Sequence, residues 1–225
     1  MKRALFAALP LALAAATVLQ PMTAQARVVA APAAKQFAVE GGGTKTAIFA
    51  GGCFWGVEAV FSHVKGVKSA VSGYHGGKAA TANYDIVSSG LSNHTEAVRI
   101  TYDPKVVRYD ELLRIFFSVI ADPTLKDRQG PDRGAHYNAE LIPVSAEQRK
   151  VASAYLKQMQ ASGKWPGPIV TGITRPGKFY RAETYHQDFA AKNPNHGYIR
   201  RWDAPKVAAL KRLYPSHYRA SFQRN

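Results

Sequence analysis

Apolar residues recur at two different periods along this chain, and each change of period marks an element. Thr46 to Ala50 is an apolar run of strand length. Val57, Val60, Phe61 and Val64 then recur at helical spacing, and Gly66 closes that helix. Val67 to Gly73 reads as a second strand, followed by a turn at Gly76-Gly77. Thr95 to Tyr102 reads as a third, with Val98, Ile100 and Tyr102 on one face. Glu96 shares their parity, which puts a carboxylate on the apolar side of a strand, where a polar group needs a reason to be.

Tyr109 to Ile120 carries the stripe of an amphipathic helix in Leu112, Leu113, Phe116, Phe117 and Ile120. From Ala121 to Asn138 the density of Asp, Pro and Gly excludes regular structure, and long loops of this kind tend to carry function. Ser145-x-x-Gln148 is a capping box opening a helix that Gly163 ends. Ile169 to Ile173 reads as a strand and Ala182 to Lys192 as a further helix. Strand–helix alternation with hairpin-like strands between predicts an α+β fold, a two-layer sandwich.

Ahead of this domain, Met1-Lys2-Arg3 precedes an apolar stretch from Ala4 to Leu19, and Thr23-Ala24-Gln25-Ala26 offers a small-x-small cleavage site. Residues 1–26 are therefore expected to be a signal peptide, cleaved after Ala26, with export to a bacterial periplasm. Pro10 interrupts the apolar run, which is short for a membrane span, so no stable insertion is expected after cleavage. Residues 27–45 are rich in Ala, Val and Gly and read as a flexible linker. Residues 46–225 are expected to form the one folded domain, which would carry any catalytic site, with a C-terminal extension from about residue 200.

The chain has 225 residues and a net charge of +15, of which cleavage removes only Lys2 and Arg3. Such a charge suits nucleic acid, anionic membranes or acidic clients. The basic residues are scattered, with short doublets such as Arg200-Arg201 and Lys211-Arg212, and no nucleic-acid-binding signature accompanies them. No nucleic-acid partner is expected, and the charge reads as a solvated surface. The histidines are dispersed and there is one cysteine, so neither a metal site nor a cofactor is expected.

That cysteine, Cys53, lies in Gly51-Gly52-Cys53-Phe54-Trp55-Gly56, between the first strand and the first helix. There it meets the unpaired N–H groups and the positive end of the macrodipole, which favour thiolate. A lone cysteine is equally well read as a small buried hydrophobe, and position alone does not decide. An unpaired thiol in an exported protein nevertheless points to reactivity.

The segment resembles the Gly-Cys-Phe-Trp-Gly signature of the A-type peptide methionine sulfoxide reductases. The resemblance continues in order through Tyr74-x-Gly76-Gly77, Asn83-Tyr84, His94-x-Glu96, Tyr102-Asp103-Pro104 and Asp122-Pro123-Thr124. It then takes in Arg128-Gln129-Gly130-x-Asp132-x-Gly134, Tyr137 and Phe179-x-x-Ala182-Glu183-x-Tyr185-His186-Gln187, covering about residues 46–198. It implies a ferredoxin-like core and reduction of methionine S-sulfoxide, free or peptide-bound, in oxidised proteins and peptides. Cys53 would be the nucleophile, and Phe54 with Trp55 the apolar slot for the methyl group. Glu96 would be the proton donor, kept protonated by desolvation. Tyr84 and Tyr137 would hold the sulfoxide oxygen, with Asp132 supporting the site.

Many relatives carry a resolving cysteine where this chain reads Asn193-Pro194-Asn195-His196-Gly197-Tyr198-Ile199. The sulfenic acid left on Cys53 would therefore need an external thiol, thioredoxin- or glutaredoxin-like. Ala121, His136, Asn138 and Ala139 also depart from the family loop. Two rival functions are a Cys–His acyl-transfer hydrolase using His75, His94 or His186 as base, and a basic module that binds nucleic acid or membrane.

Overall fold

The computed structural model describes residues 28–225, so the leader expected at 1–26 lies outside them. In chain order the elements are β1 (Lys45–Gly51), α1 (Phe54–Ser62), β2 (Val67–His75), α2 (Tyr84–Ser88), β3 (Thr95–Tyr102) and α3 (Tyr109–Ile115). Then come β4 (Arg128–Gln129), β5 (Asp132–Arg133), β6 (Ala139–Ile142), α4 (Ala146–Ala161), β7 (Gly172–Ile173) and β8 (Phe179–Arg181). The last two are α5 (Phe189–Lys192) and α6 (Ala204–Leu213).

The main sheet has the order β7-β6-β1-β3-β2-β8, antiparallel throughout except for the β6/β7 pair. Its four central strands with α1 and α3 trace β1-α1-β2-β3-α3-β6, the split βαβ arrangement of a ferredoxin-like core, as the resemblance implies. Alternation along β1 builds both faces of the sheet. Ala47 and Phe49 enter the main core beneath the helices, where the Phe49 ring lies 5.0 Å from Phe61 and 5.3 Å from Phe116. Ile48 and Ala50 join Ala97 and Ile142 in a smaller cluster on the other face. On β3, Glu96, Val98, Ile100 and Tyr102 are all buried.

Several elements depart from the sequence reading for identifiable reasons. The 109–120 helix is α-helical only to Ile115, because Phe116–Ile120 widens into a π turn in which Ala121 N–H donates to Phe116 O. Of Ile169–Ile173 only the last two residues pair as a strand, since the N–H groups of Val170 and Thr171 turn instead to Pro123 O. The 182–192 helix is broken. Gln187 inserts its side chain against the β2 edge, accepting from Ser72 N and donating to Ser72 O, and Asp188 takes a left-handed φ of 55° before α5. The capping box is half formed. Ser145 Oγ accepts from Gln148 N, but Gln148 Oε1 accepts from Val144 N rather than from Ser145. Inside the 121–138 loop, β4 and β5 make a short hairpin.

The described part of the expected linker, 28–45, is a docked strap rather than a flexible tether. Ala31 and Ala38 are buried, and side chains of the helices beneath hold the strap's backbone. Ala31 N donates to Ser118 Oγ, Ala38 N to Asp110 Oδ1 and Tyr155 Oη to Pro32 O. Glu40 accepts from Tyr102 Oη at 2.5 Å and from Tyr109 N at 3.2 Å, so it also caps α3. Small residues permit this: an alanine strap lies close enough for its peptide groups to be bonded from below. Residues beyond about 200 are no appendage either. Helix α6 packs on α1, with Ala209 and Leu210 buried.

Candidate functional site

Strand β1 delivers the chain into Gly51-Gly52 and straight into α1. Gly52 sits at φ 86°, and a Cβ there would lie 2.6 Å from Gln129 Cβ, so only glycine brings the loop this close to the β4 strand. Cys53 is the N-cap residue of α1, reduced and buried. Glu96 on β3 is also buried, and its Oε2 accepts the N–H of Phe54 at 2.9 Å. Thiol and carboxyl are thus held at the same helix terminus by elements adjacent in the sheet.

Burial pushes the Glu96 carboxyl up to about 8; the Phe54 N–H opposes this shift and the nearby Asp132 charge adds to it. The acid is therefore protonated at neutral pH. The Cys53 thiol is raised well above its ordinary range, first by burial and then by the charges of Glu96, Asp203 and Asp132, against the N–H of Trp55. This corrects the expectation of a dipole-stabilised thiolate: desolvation, with the acidic groups around the sulfur, outweighs the helix terminus, and the resting sulfur is a thiol.

The aromatic wall is fixed from behind. Trp55 stacks on Phe189 at 3.7 Å between centroids and 7° between planes, and meets the edge of Tyr198 at 5.9 Å. Its Nε1 donates to His186 Nδ1 at 3.1 Å, which fixes the neutral tautomer of that imidazole with the proton on Nε2. The same ring packs on Phe54 and Tyr84. Tyr84 opens α2, and Glu183 anchors it by accepting from both Tyr84 N and Tyr74 Oη. Tyr137 ends a single turn at Ala135–Tyr137 in the long loop. Burial raises the phenols of Tyr84 and Tyr137, and the neighbouring acidic groups Glu96 and Cys53 raise them further. Asp132, on β5, accepts from Tyr198 Oη at 2.5 Å. With Cys53 it lines a narrow cavity of about 10 Å³, the room of one water.

All seven residues singled out from sequence thus fall in one region. Others there went unassigned. Glu183 and His186 lie inside the resembling motif, and their role in orienting Tyr84 and Trp55 is visible only once the rings are packed. Tyr198, Asp203 and Lys206 come from the C-terminal segment. Their only sequence signal is the i,i+3 acid–base spacing of Asp203 and Lys206. Two of the unusual loop residues have structural work: His136 packs on Tyr137 at 4.1 Å, and Asn138 staples the loop through two hydrogen bonds with Asp127. Ala121 and Ala139 are simply buried.

None of the three histidines of the hydrolase reading is hydrogen-bonded to Cys53 among the described residues. His94 receives Gly77 N and faces Lys78 O, His186 serves Trp55, and His75 lies buried beside Gly177. Without a base in reach the acyl-transfer arrangement is missing.

The model of the family described as "Peptide methionine sulfoxide reductase" matches residues 45–217. Peptide methionine sulfoxide reductase MsrA 2 of Mesorhizobium japonicum is 49% identical over 176 residues, covering 78% of this chain and 90% of its own. Its namesake from a Synechocystis strain is 47% identical over 178 residues, covering 79% and 83%. Among solved structures, reduced Mxr1 of Saccharomyces cerevisiae superposes with a TM-score of 0.59 at 29% identity, covering 72% of this chain and 92% of its own. Methionine sulfoxide reductase A of Corynebacterium diphtheriae gives 0.57 at 30%, covering 78% and 86%. A thiol and a protonated carboxyl at one helix terminus, walled by aromatics, are the groups that sulfoxide reduction needs, and the chain belongs to the peptide methionine sulfoxide reductase family, whose thiol-dependent reduction of methionine sulfoxide it performs.

Proposed function

We propose that Cys53 Sγ attacks the sulfoxide sulfur while Glu96 gives its proton to the sulfoxide oxygen. The methionine S–O bond breaks and one S–O bond forms on Cys53. Methionine sulfur is reduced by two electrons, cysteine sulfur is oxidised by two, and the thiol's proton restores Glu96. The products are methionine and a sulfenic acid. Tyr84 and Tyr137 hold the oxygen, Phe54 and Trp55 take the methyl group, and Asp132 fixes Tyr198 behind them. The substrate is the S-sulfoxide, free or peptide-bound.

The observation that carries this reading is the Glu96 Oε2 contact with Phe54 N, which sets a carboxyl of raised pKa beside the thiol. A test is loss of methionine sulfoxide from a peptide in the presence of dithiothreitol. Wild type should turn over and Cys53→Ser should not; substantial activity in the variant sinks the reading.

A thioredoxin- or glutaredoxin-like thiol regenerates the enzyme, because the chain has no second cysteine. Export to the periplasm follows from the character of residues 1–26, and N-terminal sequencing of the secreted protein, expected to begin at Arg27, decides it.

A further inference from the structure

Helix α6 and the turn before it bring Asp203 and Lys206 against the first turn of α1. At Gly56 an added Cβ would lie 2.2 Å from Asp203 Oδ1 and 2.8 Å from Lys206 Nζ, so the absence of a side chain there makes the cradle in which this ion pair rests. Nζ and Oδ1 are 3.3 Å apart, with both side chains almost wholly buried. Asp203 Oδ2 is buried with no hydrogen-bond partner, which leaves the pair incompletely satisfied. Lys206 also lines the narrow cavity that contains Cys53, beside Asp132 and Trp202.

The groups facing Cys53 are overwhelmingly acidic or neutral. Glu96 comes from β3, Asp132 from the β4–β5 hairpin, Asp203 from the turn before α6, and the phenols of Tyr84, Tyr137 and Tyr198 complete the surround. Among the residues lining the cavity, Lys206 is the one cation. A buried ion pair adds little net stability over apolar packing, so its retention beside a reactive sulfur needs another account.

We infer that Lys206 is the counter-cation of Cys53, favouring its anionic forms, the attacking thiolate and the sulfenate that follows, while the charge of Asp203, its ion-pair partner, acts against them. This deepens the nucleophile reading of Cys53 and rests on it. A chain without a resolving thiol has particular use for such a cation, since its oxidised sulfur must wait for an external reductant.

The test is the pH–rate profile of Cys53 alkylation by iodoacetamide, followed by intact mass on the full-length protein. This reaction involves no sulfoxide, so its outcome is independent of whether Cys53 is the nucleophile of the reductase. Removing the cation with Lys206→Met should move the profile to higher pH and slow alkylation roughly tenfold at pH 8. Lys206→Arg should stay close to wild type. Asp203→Asn removes a like charge and should move the profile the opposite way, to lower pH. A merely structural pair gives a different pattern, because loosened packing admits water and moves both variants downward together. Profiles that coincide with wild type, or that shift in the same direction, overturn the inference. The Lys206 and Asp203 arms are independent, so either variant that keeps the wild-type near-ultraviolet circular dichroism decides it.

Discussion

Glu96 on β3 accepts the N–H of Phe54, the residue next to the nucleophile, at 2.9 Å. The bond orients the acid and leaves its second oxygen for the substrate, while burial keeps it protonated up to about pH 8. Activity should therefore fall as pH rises through about 8, because the ionised carboxylate has no proton to give. Glu96→Gln keeps the contact with Phe54 but has no acidic proton, so the sulfoxide step should slow by roughly 10²–10⁴. Single-turnover kinetics across pH 6–9 check both. A variant that retains wild-type rate, or a profile without a descending limb near 8, removes the general-acid role.

The strap over 28–45 gives a stability prediction that is separate from catalysis. Glu40→Ala removes acceptors from buried Tyr102 Oη and from Tyr109 N at the start of α3. An orphaned buried donor costs about 1–3 kcal/mol, so urea unfolding should shift to a lower midpoint by that much. Turnover per folded molecule should be unchanged, since the strap lies on the helices rather than at Cys53. No change in the midpoint would mean that the strap is held weakly.

How much of this molecule was legible depends on how local the causes are. The strands β1, β2 and β3, the helix α1 and the inward Glu96 follow from alternation and spacing within a few residues, and the sequence reading and the fold agree there. The strap was missed because its bonds come from Asp110, Ser118 and Tyr155, each distant in sequence, and nothing in an Ala-rich run announces them. The break in the 182–192 helix has the same kind of cause: Gln187 is drawn out of it by the edge of β2. The protonation state of Cys53 is not legible because the helix terminus is a local cause, whereas the burial that dominates and the acidic side chains of Asp203 and Asp132 come from segments distant in sequence.

Buried ionisable groups set how stability varies with pH. Glu58 and Glu96 are both raised to about 8 by burial, so above the unfolded value near 4.5 the unfolded chain has released protons that the native state still holds. Their contribution is therefore lost as pH rises toward 8. His63, His75, His136 and His186 are lowered by burial, and their contribution is lost instead as pH falls below about 6.5. Between about 6.5 and 8 the carboxyls act alone, and the urea midpoint should decline across that interval. Glu58→Gln should flatten the decline, and a midpoint that rises through this window would contradict the assignment.

Recycling gives the prediction that depends most on the single thiol. With one cysteine, the sulfenic acid formed on Cys53 cannot close an internal disulfide and must wait for an external thiol. Reduced protein mixed with excess methionine sulfoxide and no reductant should release about one methionine per chain and then stop. A sulfenic-acid trap added at that point should give one adduct at Cys53 by intact mass, and adding a thioredoxin or a small thiol instead should restart turnover. Cys53→Ser should give neither methionine nor adduct. Several methionines per chain without added thiol would show that some other group regenerates the sulfur, and the need for an external donor would fall.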